Sequence, residues 1–194
     1  MMRISLVGLL VAGACSILPE PKPARYRYVV LEAVGASQSA PARTAATVAL
    51  GSVDLPTYLD SAVLVSRSAA NEIRYSRDER WAEPLITATP RVLALDLESQ
   101  LAGDGIALLP QGSLADSRID VTIQHFEPDA DGRATLRAGW TVHERARPEA
   151  VHGTEIRLVD QEGGPAAAGL SRLLARLGDA IAADVRQRPT ALRD

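Results

Sequence analysis

The clearest pattern in the chain is strict alternation between residues 118 and 144. Ile119, Val121 and Ile123 share one parity, and Asp120, Thr122 and Gln124 share the other. After Asp129-Ala130-Asp131-Gly132, a turn with glycine at the positive-φ place, Ala134, Leu136, Ala138, Trp140 and Val142 alternate with Thr135, Arg137, Thr141 and His143. A period of two with one apolar parity predicts strands over 118–126 and 133–144, dry on one face and wet on the other. Residues 151–159 supply a third strand, after Pro148. Upstream, 25–31, 47–55, 61–66 and 71–75 read as strands, the last two as a hairpin, with a further short strand over 105–109.

Two stretches change period. Trp81, Leu85, Val92, Leu93, Leu97 and Leu101 recur at helical spacing, with Pro84 in the first turn and Gly103 past the end. Pro90 predicts a kink or a delayed start, because it lacks an N–H and crowds the previous turn. In 165–186, Leu170, Leu174, Leu177, Ile181 and Val185 form one stripe, opposed by Arg172, Arg176, Asp179 and Arg186. The order strands, helix, strands, helix predicts an α+β two-layer sandwich, a mostly antiparallel sheet with both helices on one face.

The N-terminus is built differently. Arg3 precedes an apolar run, Ile4 to Leu10, that continues through Val11-Ala12-Gly13-Ala14 to Cys15, the chain's only cysteine. A positive n-region, an apolar h-region and small residues at the cut are the parts of a secretory signal. A lone cysteine directly after them makes the segment similar to a bacterial lipobox, which implies cleavage before Cys15 and diacylglycerol on its sulfur. The alternatives are an ordinary signal with an incidental cysteine, or a membrane anchor, for which the run falls short of about 20 residues. Leu18 to Pro23 holds three prolines and reads as an extended tether. The expected organisation is a signal peptide over 1–14, a lipidated cysteine and tether over 15–24, an α+β domain over 25–188 and a tail over 189–194.

Composition narrows the function. Removing the leader leaves 180 residues and takes the formal charge from −3 to −4. No basic stripe points to nucleic acid. With Cys15 acylated, no thiol is left for a disulfide, redox centre or metal site. His125, His143 and His152 fall one to a strand and read as solvent-facing rather than as ligands. There is no G-x-S-x-G elbow and no phosphate loop. Asp78, Glu79 and Glu83, with Arg77 and Arg80, read as a solvated helix entry. No catalytic residue, metal or cofactor is expected.

Three segments carry a family likeness: Tyr28-Val29-Val30-Leu31-Glu32; Leu55-Pro56-Thr57-Tyr58-Leu59-Asp60, with Val65 and Arg67 after it; and Arg80-Trp81-Ala82-Glu83-Pro84-Leu85. Together they resemble the PqiC (YmbA) type of ABC-transport auxiliary lipoprotein. Small residues stand at Ser61 and Ala62, where that family commonly has a charge or proline. The resemblance implies a non-enzymatic lipoprotein working with MCE-domain proteins and an inner-membrane transporter to move lipid or other hydrophobic molecules across the periplasm. Ser16 after the cysteine resembles an outer-membrane address. Leu55, Pro56, Leu59, Arg80, Trp81, Glu83 and Pro84 are then mainly structural, with Trp81 at a helix start filling the gap between helix and sheet. Tyr58 and Asp60, on a proline-set turn, are the expected partner contact, in a chain that forms homo-oligomers. An envelope assembly or secretion-pilot lipoprotein, or a periplasmic hydrolase with a dispersed site, are the other classes the residues leave open.

Overall fold

A computed structural model describes residues 25–35, 44–148 and 151–188. Cys15, Ser16, the proline-rich tether and the tail from 189 lie outside the described residues. The elements are β1 (Arg27–Val29), β2 (Ala46–Asp54), a 3-10 turn (Thr57–Leu59), β3 (Val63–Ala69), β4 (Glu72–Trp81), α1 (Leu85–Ala102), β5 (Ile106–Leu109), β6 (Ser117–Pro128), β7 (Ala134–Glu144), β8 (Val151–Val159) and α2 (Ala166–Gln187).

The fold is α+β, with two sheets in place of the one expected. β1-β4-β3 forms a three-stranded sheet, and β5-β2-β6-β7-β8 forms a five-stranded one. The expected hairpin of β3 and β4 is present, as is the antiparallel run of β6, β7 and β8. The other pairings, β1 with β4, β2 with β5 and β2 with β6, are parallel. Both sheets are therefore mixed. Parallel pairing was hidden because the connections are themselves other elements: the β3–β4 hairpin and α1 intervene between β2 and β5.

Alternation places the core. Ile119, Val121, Leu136, Ala138 and Val142 are at most 1 % exposed, and they face the helices. α1 packs on α2, β2 and β5, while α2 packs on β7, β6 and β8. Leu97, Leu101, Leu174, Leu177 and Ile181 fill the layer between. Trp140 sits in this layer, and its indole N–H donates to Asp184 Oδ2 of α2 at 2.9 Å, meeting the need of a buried donor. The turn at Asp129–Gly132 has Gly132 at φ 79°, as its sequence requires.

Trp81 is the main correction to the element boundaries. It ends β4 rather than opening the helix, and β4 runs on from the short stretch predicted at 71–75. The helix starts at Leu85, with Pro84 as its N-cap at φ −55°, ψ 135°. Pro84 C=O accepts from the N–H groups of Thr87 and Ala88, both at 2.9 Å. Pro90 lies inside α1 without ending it; the cost is one lost helical hydrogen bond at the Ile86 carbonyl.

Candidate interaction surface

The Leu55–Asp60 segment folds as a turn on the end of β2. Pro56, at φ −58°, caps the 3-10 turn, and its C=O accepts from Leu59 N–H at 2.9 Å. Leu59 is buried, and Leu55 and Tyr58 pack against the core from half-buried positions. The Tyr58 hydroxyl turns inward and donates to Glu127 Oε2 at 2.9 Å. Arg67 Nε donates to Glu127 Oε1 at 2.7 Å, and its Nη2 reaches the Tyr58 oxygen at 3.2 Å. Phe126 N–H adds a bond to Glu127 Oε2 at 2.7 Å, and His125 Nδ1 lies 3.2 Å from Oε1. The Glu127 side chain is fully buried. Burial, followed by the negative charge of Glu127, pushes the Tyr58 phenol up to about 12, so it stays a neutral donor. Asp60 remains exposed. Within the expected contact pair, Tyr58 holds the fold together and Asp60 offers a free carboxylate.

Glu127 was not foreseen. It stands two residues past a register shift between Ile123 and His125, where a bulge breaks the alternation and Phe126, Glu127 and Pro128 are all buried. Nothing in the sequence marks that bulge.

The Arg80–Leu85 segment joins β4 to α1. Trp81 is buried; its backbone N–H donates to Ala62 C=O, and Ala82 N–H donates to Val29 C=O, each at 2.9 Å. These bonds tie the two neighbouring strands to the helix entry. The Arg80 guanidinium stacks over the Tyr26 ring at 4.0 Å. Arg91 grips Glu83 with both nitrogens, Nη2 to Oε2 at 2.6 Å and Nε to Oε1 at 3.3 Å. The acidic cluster expected at one helix entry is divided: Glu79 pairs with Arg27 across β1 and β4, Asp78 accepts from Ser76 Oγ at 3.2 Å, and only Glu83, just before α1, is bound to that helix, through Arg91.

Three other features complete the surface. A groove of about 480 Å³ runs between α1, at Thr87, Pro90 and Ala94, and β5, at Leu108 and Leu109. The chain after β1 crosses the helix pair: Glu32 N–H donates to Ser171 Oγ at 3.1 Å and Val34 N–H to Asp96 Oδ1 at 2.9 Å. Asp96 is 1 % exposed, and its Oδ2 has no hydrogen-bond partner. Burial, with the like charge of Asp179, raises its carboxyl to about 6. On the wet face of the sheet, Asp120 accepts Ser52 N–H at 2.9 Å and pairs with His143 Nε2 at 3.1 Å. Its carboxylate fills the space beside Gly51, where a Cβ would come within 2.0 Å of Oδ1.

Among the described residues there is no group of three or more His, Cys, Asp or Glu placed to hold a metal. No described helix is long and apolar enough to cross a membrane. The Tyr58 phenol and the Asp96 carboxyl, the two groups moved furthest from their ordinary values, lie in separate parts of the fold, one against Glu127 and the other in α1.

Residues 28–182 match the family described as the ABC-type transport auxiliary lipoprotein component. The chain belongs to that family. It is a transport-associated lipoprotein, and the family is one of envelope membrane-anchored auxiliary components and not of known enzymes. A crystal structure of an uncharacterised protein is 19% identical and covers 83% of this chain and 96% of its own, with a TM-score of 0.62. A Xanthomonas campestris protein assigned to DUF330 is 14% identical, covers 84% of this chain and 93% of its own, and gives 0.58. These likenesses establish the shared fold. No curated protein matches the chain.

Proposed function

We propose that this lipoprotein is the outer-membrane component of an MCE-type system that moves lipid across the periplasm, anchored through acylated Cys15 and assembled as a homo-oligomer. The observation that carries the reading is the family match over 28–182 behind an N-terminal apolar run that leads through Val11-Ala12-Gly13-Ala14 to Cys15. Three acyl chains, each methylene worth about 0.8 kcal/mol when buried, hold a protein on a membrane where one chain alone is marginal. In this reading the inner-membrane ABC transporter supplies the energy, the MCE protein spans the gap, and this chain receives it at the far membrane. Asp60, exposed on a proline-set turn, is the proposed partner contact. β5 leaves an open edge on the five-stranded sheet, and open edges favour contacts between copies.

The test is Cys15→Ala, with fractionation and intact-mass measurement. The wild-type chain is expected in the outer-membrane fraction with diacylglycerol mass on a mature N-terminal Cys15. The variant is expected unprocessed or free in the periplasm. A mature N-terminus elsewhere, without lipid mass, contradicts the reading.

A further inference from the structure

β1 and the residues on either side of it carry an exposed apolar row. Tyr26, Tyr28 and Val30 alternate along the chain and are 41%, 63% and 45% exposed. The residues between them do other work. Val29 packs on the core, Leu31 is buried, and Arg27 pairs with Glu79. Tyr28 lies opposite Arg80 in the parallel register of β1 and β4, and Arg80 covers the Tyr26 ring. Arg25 and Arg80 have no ion pair among the described residues. The acidic groups on the adjoining part of β4 are Glu79, held by Arg27, and Asp78, bonded to Ser76. The row is therefore two tyrosines and a valine rimmed by arginine, at a strand edge, where Tyr26 is covered on one side by Arg80 and Tyr28 and Val30 stay exposed.

Its position relative to the anchor decides what covers it. Arg25 stands ten positions after Cys15, with nine residues between them, so the chain between them can hold Arg25, next to the row, at most about 36 Å from Cys15. A surface held that close to a bilayer meets it at high effective concentration, so weak contacts suffice. Tyrosine rings settle at the headgroup level, where one end is apolar and the other wet. Arginine stems lie along apolar surface while their heads reach phosphate.

We infer that the Tyr26–Tyr28–Val30 row, with Arg25 and Arg80, rests on the headgroup layer of the membrane that holds Cys15, so that the domain sits on that membrane with β1 down. The inference rests on the reading that Cys15 is acylated. It fixes an orientation: the β1–β4–β3 sheet faces the bilayer, and the turn bearing Asp60 has a defined height above it.

The experiment uses the acylated chain in vesicles of phosphatidylethanolamine and phosphatidylglycerol. Val30→Cys and, as a control on β8, Gly153→Cys, where a Cβ meets nothing within 4 Å, each take an environment-sensitive fluorophore. Headgroup-region spin-labelled lipid should quench the label at position 30 several-fold more than the label at 153. Tyr26→Ser with Tyr28→Ser should reduce quenching at 30 to the control level, while flotation with the vesicles and the melting temperature hold. Equal quenching at 30 and 153 in acylated, floating protein overturns the inference alone. A label at 30 shielded from both lipid quencher and aqueous iodide means that protein covers the strand, and also overturns it. A chain that lacks lipid mass and does not float overturns the anchor reading, and this inference with it.

Discussion

Arg67 Nε donates to Glu127 Oε1 at 2.7 Å, and this bond fastens β3 of the small sheet to β6 of the large one. Tyr58 closes the triangle from the turn between β2 and β3. Glu127 is fully buried and Arg67 only partly so, so the two ends of the pair are unequal. Removing the arginine strands a charge in the interior; removing the glutamate frees an arginine that can reach water.

Arg67→Ala is therefore expected to destabilise by on the order of 3–5 kcal/mol, the cost of breaking a buried pair from one side. Tyr58→Phe deletes one donor to the same carboxylate and should cost about 1–2 kcal/mol. Urea titration of both variants and of Glu127→Gln checks the ranking, and a double-mutant cycle reads the coupling. Wild-type midpoints for Arg67→Ala would contradict the role given to the pair.

Asp60 makes a cleaner probe of partner binding than Tyr58. Asp60→Ala removes an exposed carboxylate and should leave the melting temperature within the small range of surface changes, while weakening copurification of partners or self-association. Tyr58→Ala would lose association and stability together and could not separate them. Full association of a folded Asp60→Ala protein would remove Asp60 from the contact.

Asp96 gives a pH signature. Its folded carboxyl titrates at about 6, above the ordinary 3.8. Folding therefore takes up a proton between those values, and this group's contribution to stability grows as pH falls from 6 towards 4. As pH rises through 6, the charged form becomes a buried cost. Asp116 and Asp160 are held below 3.8, by Thr47 hydrogen bonds and by Arg172 respectively. Their contributions are present above 3.8 and lost only as pH drops below it, so the windows separate. Asp96→Asn should melt higher than wild type at pH 7.5 and lose most of that advantage near pH 4.5. Parallel melting curves across this range would contradict a buried, raised carboxyl.

The elements that the sequence made legible are those whose burial has one period. In β7, in α2 and in β6 as far as Ile123, the apolar positions share one face, and the face could be counted. α1 was harder. Its buried side includes Thr89 and Asp96, while Ile86 and Leu95 are exposed, so apolarity and burial diverge there. Trp81 fitted the helical count by spacing, but Pro84 as N-cap forces extended backbone before Leu85 and leaves Trp81 on the strand. Parallel pairing of β2 with β5 and β6 is long-range and leaves no local mark. The motif residues Tyr58 and Arg67 were visible as a likeness. Their partner Glu127 was not, because its burial depends on a bulge and on a turn from far upstream.

Copurification of the native acylated protein from crosslinked envelopes tests its service in a lipid transport system. The prediction is that an MCE-domain protein and ABC transporter subunits are recovered with it, and that recovery falls with Asp60→Ala and is lost with Cys15→Ala. Recovery of neither class from cells that express both, with the lipoprotein folded and anchored, would contradict the account.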